Sequence, residues 1–154
     1  SSLEQRSQIE RQLLRRLERD PLLKQRVERL KTIPAVGVVT ALSWALEIGD
    51  VTRFRSLKHV ISYCGLCSAE VQSGDKLYRR PLSKQRNRHL QHVLVEAAKL
   101  APRLSPELAL LYEQARQRGP ANRATLELAR KLTAYLFAVD RRGTEFAPAT
   151  AHAA

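Results

Sequence analysis

The 154-residue chain has no methionine, a single tryptophan and only two cysteines, and aromatic residues make up 5% of it. A core drawn from such a composition is mostly Leu, Val and Ala, which favours helix over sheet. Acid is scarce beside base: 15 Asp+Glu stand against 27 Lys+Arg, a net charge of +12. That balance points to a polyanion partner, and nucleic acid is the usual one. No apolar run approaches the roughly 20 residues that span a bilayer, and no secretory apolar region is present. No membrane partner is expected, and a cytoplasmic location is. There is no Gly-rich phosphate loop and no carboxylate cluster of the kind that two-metal nucleases use. The chain opens on Ser1-Ser2 and reads as a fragment of something longer.

Hydrophobic residues are 44% of the chain, and a chain of this length buries roughly 70% of its unfolded surface. It needs no staple to hold a core. Cys64 and Cys67 stand as C-x-x-C. A zinc site needs two further soft ligands at a suitable spacing, and no second cysteine pair exists. The pair reads first as small hydrophobic thiols, with metal or redox chemistry the alternative.

Helical spacing runs through most of the sequence. Residues 1–19 form a charged helix striped by Leu3, Ile9, Leu13, Leu14 and Leu17. Asp20-Pro21 restarts a helix that ends near Leu30. The narrow stripe over 1–30 is either a seam for a partner helix or a face packed on the domain's own body. An apolar helix follows over Val38–Ile48, ended by Gly49-Asp50, and a short helix lies between Ser56 and Gly65. Residues 66–82 are the least periodic, with room for a tiny β-hairpin through 69–71 and 76–78. Ser83 is expected to cap a helix of roughly 18 residues with Leu90, Val93, Leu94, Ala97, Ala98 and Leu100 inward. Ser105-Pro106 starts another helix, closed by Gly119-Pro120. A last helix from near Asn122 buries Leu126, Ala129, Leu132, Tyr135, Leu136 and Val139. After Gly143 the composition predicts a disordered tail. The expectation is an all-α protein: a charged segment over 1–30, a helical domain over 31–140 and a flexible tail over 141–154.

Two constellations carry candidate chemistry. Ile33-Pro-Ala-Val-Gly37, followed by Val-Val-Thr40-Ala-Leu42, resembles a helix-hairpin-helix DNA-binding element. Gly37 would let the backbone approach a phosphate, and the first turn of the next helix, with Thr40, would aim N–H groups at it. The alternative is a Pro-Gly turn that only packs. The second constellation lies between 70 and 89. Lys76, Arg79, Arg80, Lys84, Arg86 and Arg88 outnumber Glu70 and Asp75 by four charges. Guanidinium matches phosphate in bidentate fashion, and cations near a helix N-terminus make sense where an anion docks. The alternative is a solvated basic loop. Ser73-Gly74 lies inside it. A serine hydroxyl is a weak nucleophile unless activated, so spacing alone makes Ser73 a turn residue. Glu47 and Asp50 share a helix end, and Glu47 reads as structural.

Taken together, Leu30-x-x-Ile-Pro-x-Val-Gly37, Glu47-Ile-Gly-Asp50, Arg53-Phe54, Tyr63-Cys-Gly-Leu66, Ser73-Gly74, Leu82-Ser-Lys-x-x-Asn87 with Leu90, and Ala129-Arg-Lys-Leu132 form an ordered pattern. It resembles the C-terminal domain of the insertion-sequence one-hundred-ten and one-sixteen family of bacterial and archaeal transposases, over roughly residues 28–139. The resemblance implies an N-terminal RNase-H-like domain whose DEDD cluster binds a divalent metal such as Mg²⁺, with no cofactor in the present chain. It implies a helical domain that supplies a serine nucleophile, a structured guide RNA, DNA as substrate and a homo-oligomer. By that resemblance Ser73 is the nucleophile, Ser83 the second choice, and Gly74, Lys76, Arg79, Arg80, Lys84, Arg86, Asn87 and Arg88 line the nucleic-acid path. This sequence has Ala35 where the hairpin usually has Gly, Gln85-Arg86 where Arg-Gly is frequent, and Gln91 where Arg is common. Two further readings remain: a non-catalytic helix-hairpin-helix module that binds DNA or RNA, and an oligomerisation domain.

Overall fold

Stripes of Leu, Val and Ala at helical spacing become helices in a computed structural model that describes residues 2–67 and 86–148. The helices are α1 (Ser2–Glu18), α2 (Pro21–Leu30), α3 (Val38–Ile48), α4 (Leu57–Tyr63), α5 (Arg88–Leu104), α6 (Pro106–Arg118) and α7 (Ala121–Arg142), with a 3₁₀ turn at Val51–Arg53. The fold is all-α, and no strand occurs among the described residues. The hairpin considered at 69–71 and 76–78 lies outside them.

Local chemistry sets the helix ends. The Asp20 carboxylate accepts from the Leu23 amide at 3.1 Å, and Pro21 needs no donor there. Ser56 and Ser105 cap α4 and α6 in the same way. Ser105 alone separates α5 from α6, so these helices must turn sharply against each other. Gly143 closes α7 in the left-handed conformation. One boundary differs from expectation. The cap of α5 is Asn87, whose side chain accepts from the Leu90 amide at 2.8 Å. Ser83 lies outside the described residues.

The long helix α7 is the spine. Its 22 residues extend about 33 Å, and α5 and α6 pack along it on one side, α2 and α4 on another. Leu126, Ala129, Leu132, Tyr135, Leu136 and Val139 are all buried, as their spacing predicts. Leu17, Val27 and Leu30 enter the same core. In α5 Leu90, Leu94, Ala97 and Ala98 are buried as their spacing predicts, but Leu100 is half exposed and Ala101 takes the inward place. Leu3, Ile9 and Leu14 of α1 also face outward. The described residues after α7 are tied down in part. The Phe146 amide donates to Thr32 Oγ1 at 2.8 Å, and its ring meets Tyr135 edge-on at 4.9 Å.

Near the C-terminal end of α7 a carboxylate is buried among three helices. Asp140 accepts from Arg26 Nε at 2.8 Å and Nη2 at 2.7 Å, and from the Trp44 indole at 2.9 Å. Removing one partner of such a group strands the others in a low dielectric. Asp140→Ala is expected to destabilise the domain by about 3–5 kcal/mol, read as a lower urea midpoint at unchanged slope.

The α2–α3 hairpin holds Ala35 at φ 69°, the left-handed region. An L-residue with a Cβ pays roughly 1–2 kcal/mol there. Ala35→Gly is therefore expected to raise stability by about 0.5–1 kcal/mol, measured in the same denaturation.

Candidate nucleic-acid interface

The segment 68–85, which carries Ser73, Ser83 and most of the basic residues, leaves the described structure after Cys67 and rejoins it at Arg86. Its two roots are built by the short motifs of the ordered pattern. Helix α4 ends in a Schellman turn: the Gly65 amide donates to Ser62 C=O and the Leu66 amide to Ile61 C=O, both at 3.0 Å. Gly65 sits at φ +69°. The Asn87 amide then donates to Tyr63 C=O at 2.8 Å, closing one root onto the other. Gln91 Nε2 donates to Gly65 C=O at 2.8 Å, and Arg130 Nη1 to Leu66 C=O at 3.0 Å. Every backbone carbonyl named here is thereby engaged by a fixed donor.

Asn87 explains itself as an amide. Its oxygen caps α5, and its nitrogen donates to Glu47 Oε2 at 2.7 Å and to the Tyr63 hydroxyl at 3.2 Å. An aspartate could cap but could not donate to Glu47. The Tyr63 hydroxyl in turn donates to Glu47 C=O at 3.3 Å. Arg53 Nε donates to Ile48 C=O at 2.8 Å, and its guanidinium stacks 4.3 Å from the Phe54 ring centre and 4.9 Å from that of Tyr63. Glu47 thus orients the start of α5 and is structural as read. Asp50 is held below the usual carboxylate range by the Thr52 hydroxyl and amide, which it accepts. Burial pushes the Cys64 thiol up to about 12, so it stays protonated at neutral pH and is a poor metal ligand. Among the described residues no group of three His, Cys, Asp or Glu comes together to hold a metal.

The predicted site residues divide. Arg86 and Asn87 stand together at the root, and Arg88 projects from the first turn of α5 into solvent. Asn87 spends its polar groups inside the domain. Gly37 and Thr40 lie toward the opposite end of α3 from Glu47, about 15 Å and about 10 Å along the helix axis. Gly37 has an ordinary extended backbone, and a Cβ built on it meets nothing within 4 Å. No internal crowding asks for glycine there. Thr40 is largely buried, at 9% exposure. A groove of about 400 Å³ runs beside this hairpin, lined by Gly37, Val39, His92, Ala97, Leu100 and Leu104 among others. Ser73, Gly74, Lys76, Arg79, Arg80, Ser83 and Lys84 lie outside the described residues. Residue-by-residue reading passed over Tyr63, Gly65, Gln91 and Arg130 as site builders. Their only sequence signal is membership of short motifs that lie far apart along the chain.

A basic helical domain with two interlocked segment roots is the class that fold and site define. Residues 27–113 match the family model described as Transposase IS116/IS110/IS902 family. The chain belongs to that family. It is 33% identical over 142 residues to the insertion element IS110 43.6 kDa protein of Streptomyces coelicolor, covering 92% of this chain and 34% of that protein. The transposase for insertion sequence element IS1328 of Yersinia enterocolitica is 30% identical over 147 residues, 93% of this chain and 43% of the relative. The pilin gene-inverting protein of Moraxella bovis is 34% identical over 74 residues, 48% of this chain and 23% of the relative. The chain therefore spans about a third to two fifths of the first two relatives. No solved structure matches it. Among the described residues no helix is long and apolar enough to cross a membrane.

The tightness of the root is testable at Gly65. A Cβ there would come 2.3 Å from Arg86 Cδ and 2.7 Å from Cγ. Gly65→Ala is expected to cost about 2 kcal/mol or more, from backbone strain and crowding together. Adding Arg86→Ala should recover the crowding part and leave the strain, a coupling that a double-mutant cycle in urea reads directly.

Proposed function

We propose that this chain is the nucleic-acid-engaging C-terminal domain of a transposase and that it supplies the nucleophile for DNA cleavage and strand exchange. The observation that carries this reading is convergence. The Glu47, Arg53-Phe54, Tyr63–Leu66, Asn87 and Arg130 motifs, scattered over more than half the sequence, meet at the two roots of the segment that carries Ser73. A domain that spends this many hydrogen bonds on fixing the ends of one basic segment is built to present it.

In the proposed step the Ser73 hydroxyl oxygen attacks the phosphorus of a phosphodiester. A phosphoserine ester forms as the bond to one sugar oxygen breaks, and the departing oxygen takes up a proton. Lys76, Arg79, Arg80 and Lys84 neutralise the phosphate as charge develops on it. Ser83 is the second candidate nucleophile. Curated relatives named as transposases and as a gene-inverting protein support DNA rearrangement as the activity. Mg²⁺ belongs, on this reading, to an acidic domain outside the present chain. A structured guide RNA and further copies of the protein are proposed partners, and the nucleoid of a bacterial or archaeal cytoplasm is the proposed site of action.

The test uses the full-length transposase that carries this domain, with guide RNA, Mg²⁺ and element-end DNA. Ser73→Ala is expected to abolish the covalent protein–DNA adduct and strand exchange while DNA binding persists. Adduct formation on a denaturing gel, mapped by mass spectrometry, reads the outcome. A wild-type protein that binds DNA yet forms no adduct would make the domain a binding platform. In that case Gly37 at the start of α3, with nothing inside the protein crowding its Cα, becomes the leading backbone-phosphate contact.

A further inference from the structure

Among the described residues, every buried side-chain nitrogen and oxygen finds a hydrogen-bond partner except two, Nε and Nη1 of Arg86. The contrast inside this one molecule is sharp. Arg26 forks onto the Asp140 carboxylate, Arg53 and Arg130 donate to backbone carbonyls, and Arg118 pairs with Glu127 at 2.8 Å. Arg86 sits beside the Schellman turn, yet the carbonyls of Tyr63, Gly65 and Leu66 are already engaged by Asn87, Gln91 and Arg130. The carboxylate at this root, Glu47, is committed to Asn87. The Arg86 stem packs over the bare Cα of Gly65, which holds its guanidinium at the root.

Arg86 is only half-buried, but two guanidinium nitrogens shut off from water without acceptors are costly, and an oxyanion is the partner that guanidinium geometry fits best. We propose that Arg86 is a half-buried oxyanion seat that takes a non-bridging oxygen of a nucleic-acid phosphodiester at the root of the Ser73 segment. This rests on the nucleic-acid reading above and gives it a particular contact. A phosphodiester is favoured over a protein carboxylate by charge. The chain carries +12, and the segment that begins after Cys67 and ends at Arg86 adds Lys76, Arg79, Arg80 and Lys84. Arg86 stands in the frame that the two roots form. Its contact would therefore couple phosphate binding to the alignment of both roots.

The experiment follows the Arg Nε–H resonances of the 154-residue chain, with the Arg86 signal assigned by its loss in Arg86→Lys. Titration with a short DNA duplex is expected to move that signal saturably. Arg86→Met should weaken duplex binding roughly 10- to 100-fold and lower the log–log salt slope by about 0.9. The same variant should raise the melting temperature of the free chain, because it removes two buried donors that have no acceptor. A lower melting temperature with unchanged affinity would make Arg86 merely structural and overturn the proposal. So would a duplex that binds while the Arg86 signal stays still, an outcome that leaves the nucleic-acid reading intact. If the chain binds no duplex, that reading fails by itself. Inorganic phosphate at fixed ionic strength then decides the seat, with a moving signal retaining it and a still one removing it. A signal moved by acetate and not by phosphate would assign the seat to a carboxylate and overturn the proposal. Should Arg86→Met fail to fold, the wild-type titrations decide alone.

Discussion

The architecture hangs on a carboxylate in an unfavourable place. Asp140 lies in the last turn of α7, where the helix dipole already concentrates negative charge, and its side chain is almost fully buried, at 3% exposure. It is tolerated because Arg26 grips both oxygens and Trp44 adds a third donor. Those two residues come from α2 and α3, the two arms of the hairpin. One buried charge thus fixes the hairpin against the spine. Once α3 is fixed, its far end places Glu47, and Glu47 places Asn87 and the start of α5.

The root of the Ser73 segment is assembled by the same logic at smaller scale. Each donor is matched to a carbonyl or carboxylate that a different element presents: α3 through Glu47, α4 through its Schellman turn, α5 through Asn87 and Gln91, α7 through Arg130. Such a network is worth more as a frame than as a sum of pairs. It fixes where the segment 68–85 leaves and returns. The hairpin at the other end of α3 offers an independent place for backbone N–H groups to face outward. Candidate contacts are therefore spread along about 15 Å of surface, a spacing suited to a strand better than to a small molecule.

Two residues show stability given up for other ends. Ala35 holds a left-handed turn that glycine would hold with less strain. Arg86 keeps two guanidinium nitrogens buried without acceptors. Neither helps the free domain fold, and both stand where this sequence departs from the usual family residues. Local rules fail most often where a protein does its work.

All-α class, helix count in the regular stretches and most caps could be read along the chain, because capping and 3.6-residue periodicity depend on neighbours within a turn or two. Asp20, Ser56, Ser105 and the buried face of α7 were plain for that reason. The start of α5 was misplaced at Ser83, since serine and asparagine are both good caps and only the Tyr63 carbonyl and the Glu47 carboxylate distinguish them. The tail looked free because nothing local shows that Phe146 has an aromatic partner in Tyr135 and a hydroxyl in Thr32. Glu47, Tyr63, Asn87 and Arg130 stand up to 83 positions apart, and no periodicity reaches across that distance. Sequence chemistry settled which of the described helices form and where the basic segment lies along the chain. Tertiary packing alone decided that this segment has locked ends, because the groups that lock them come from four different helices.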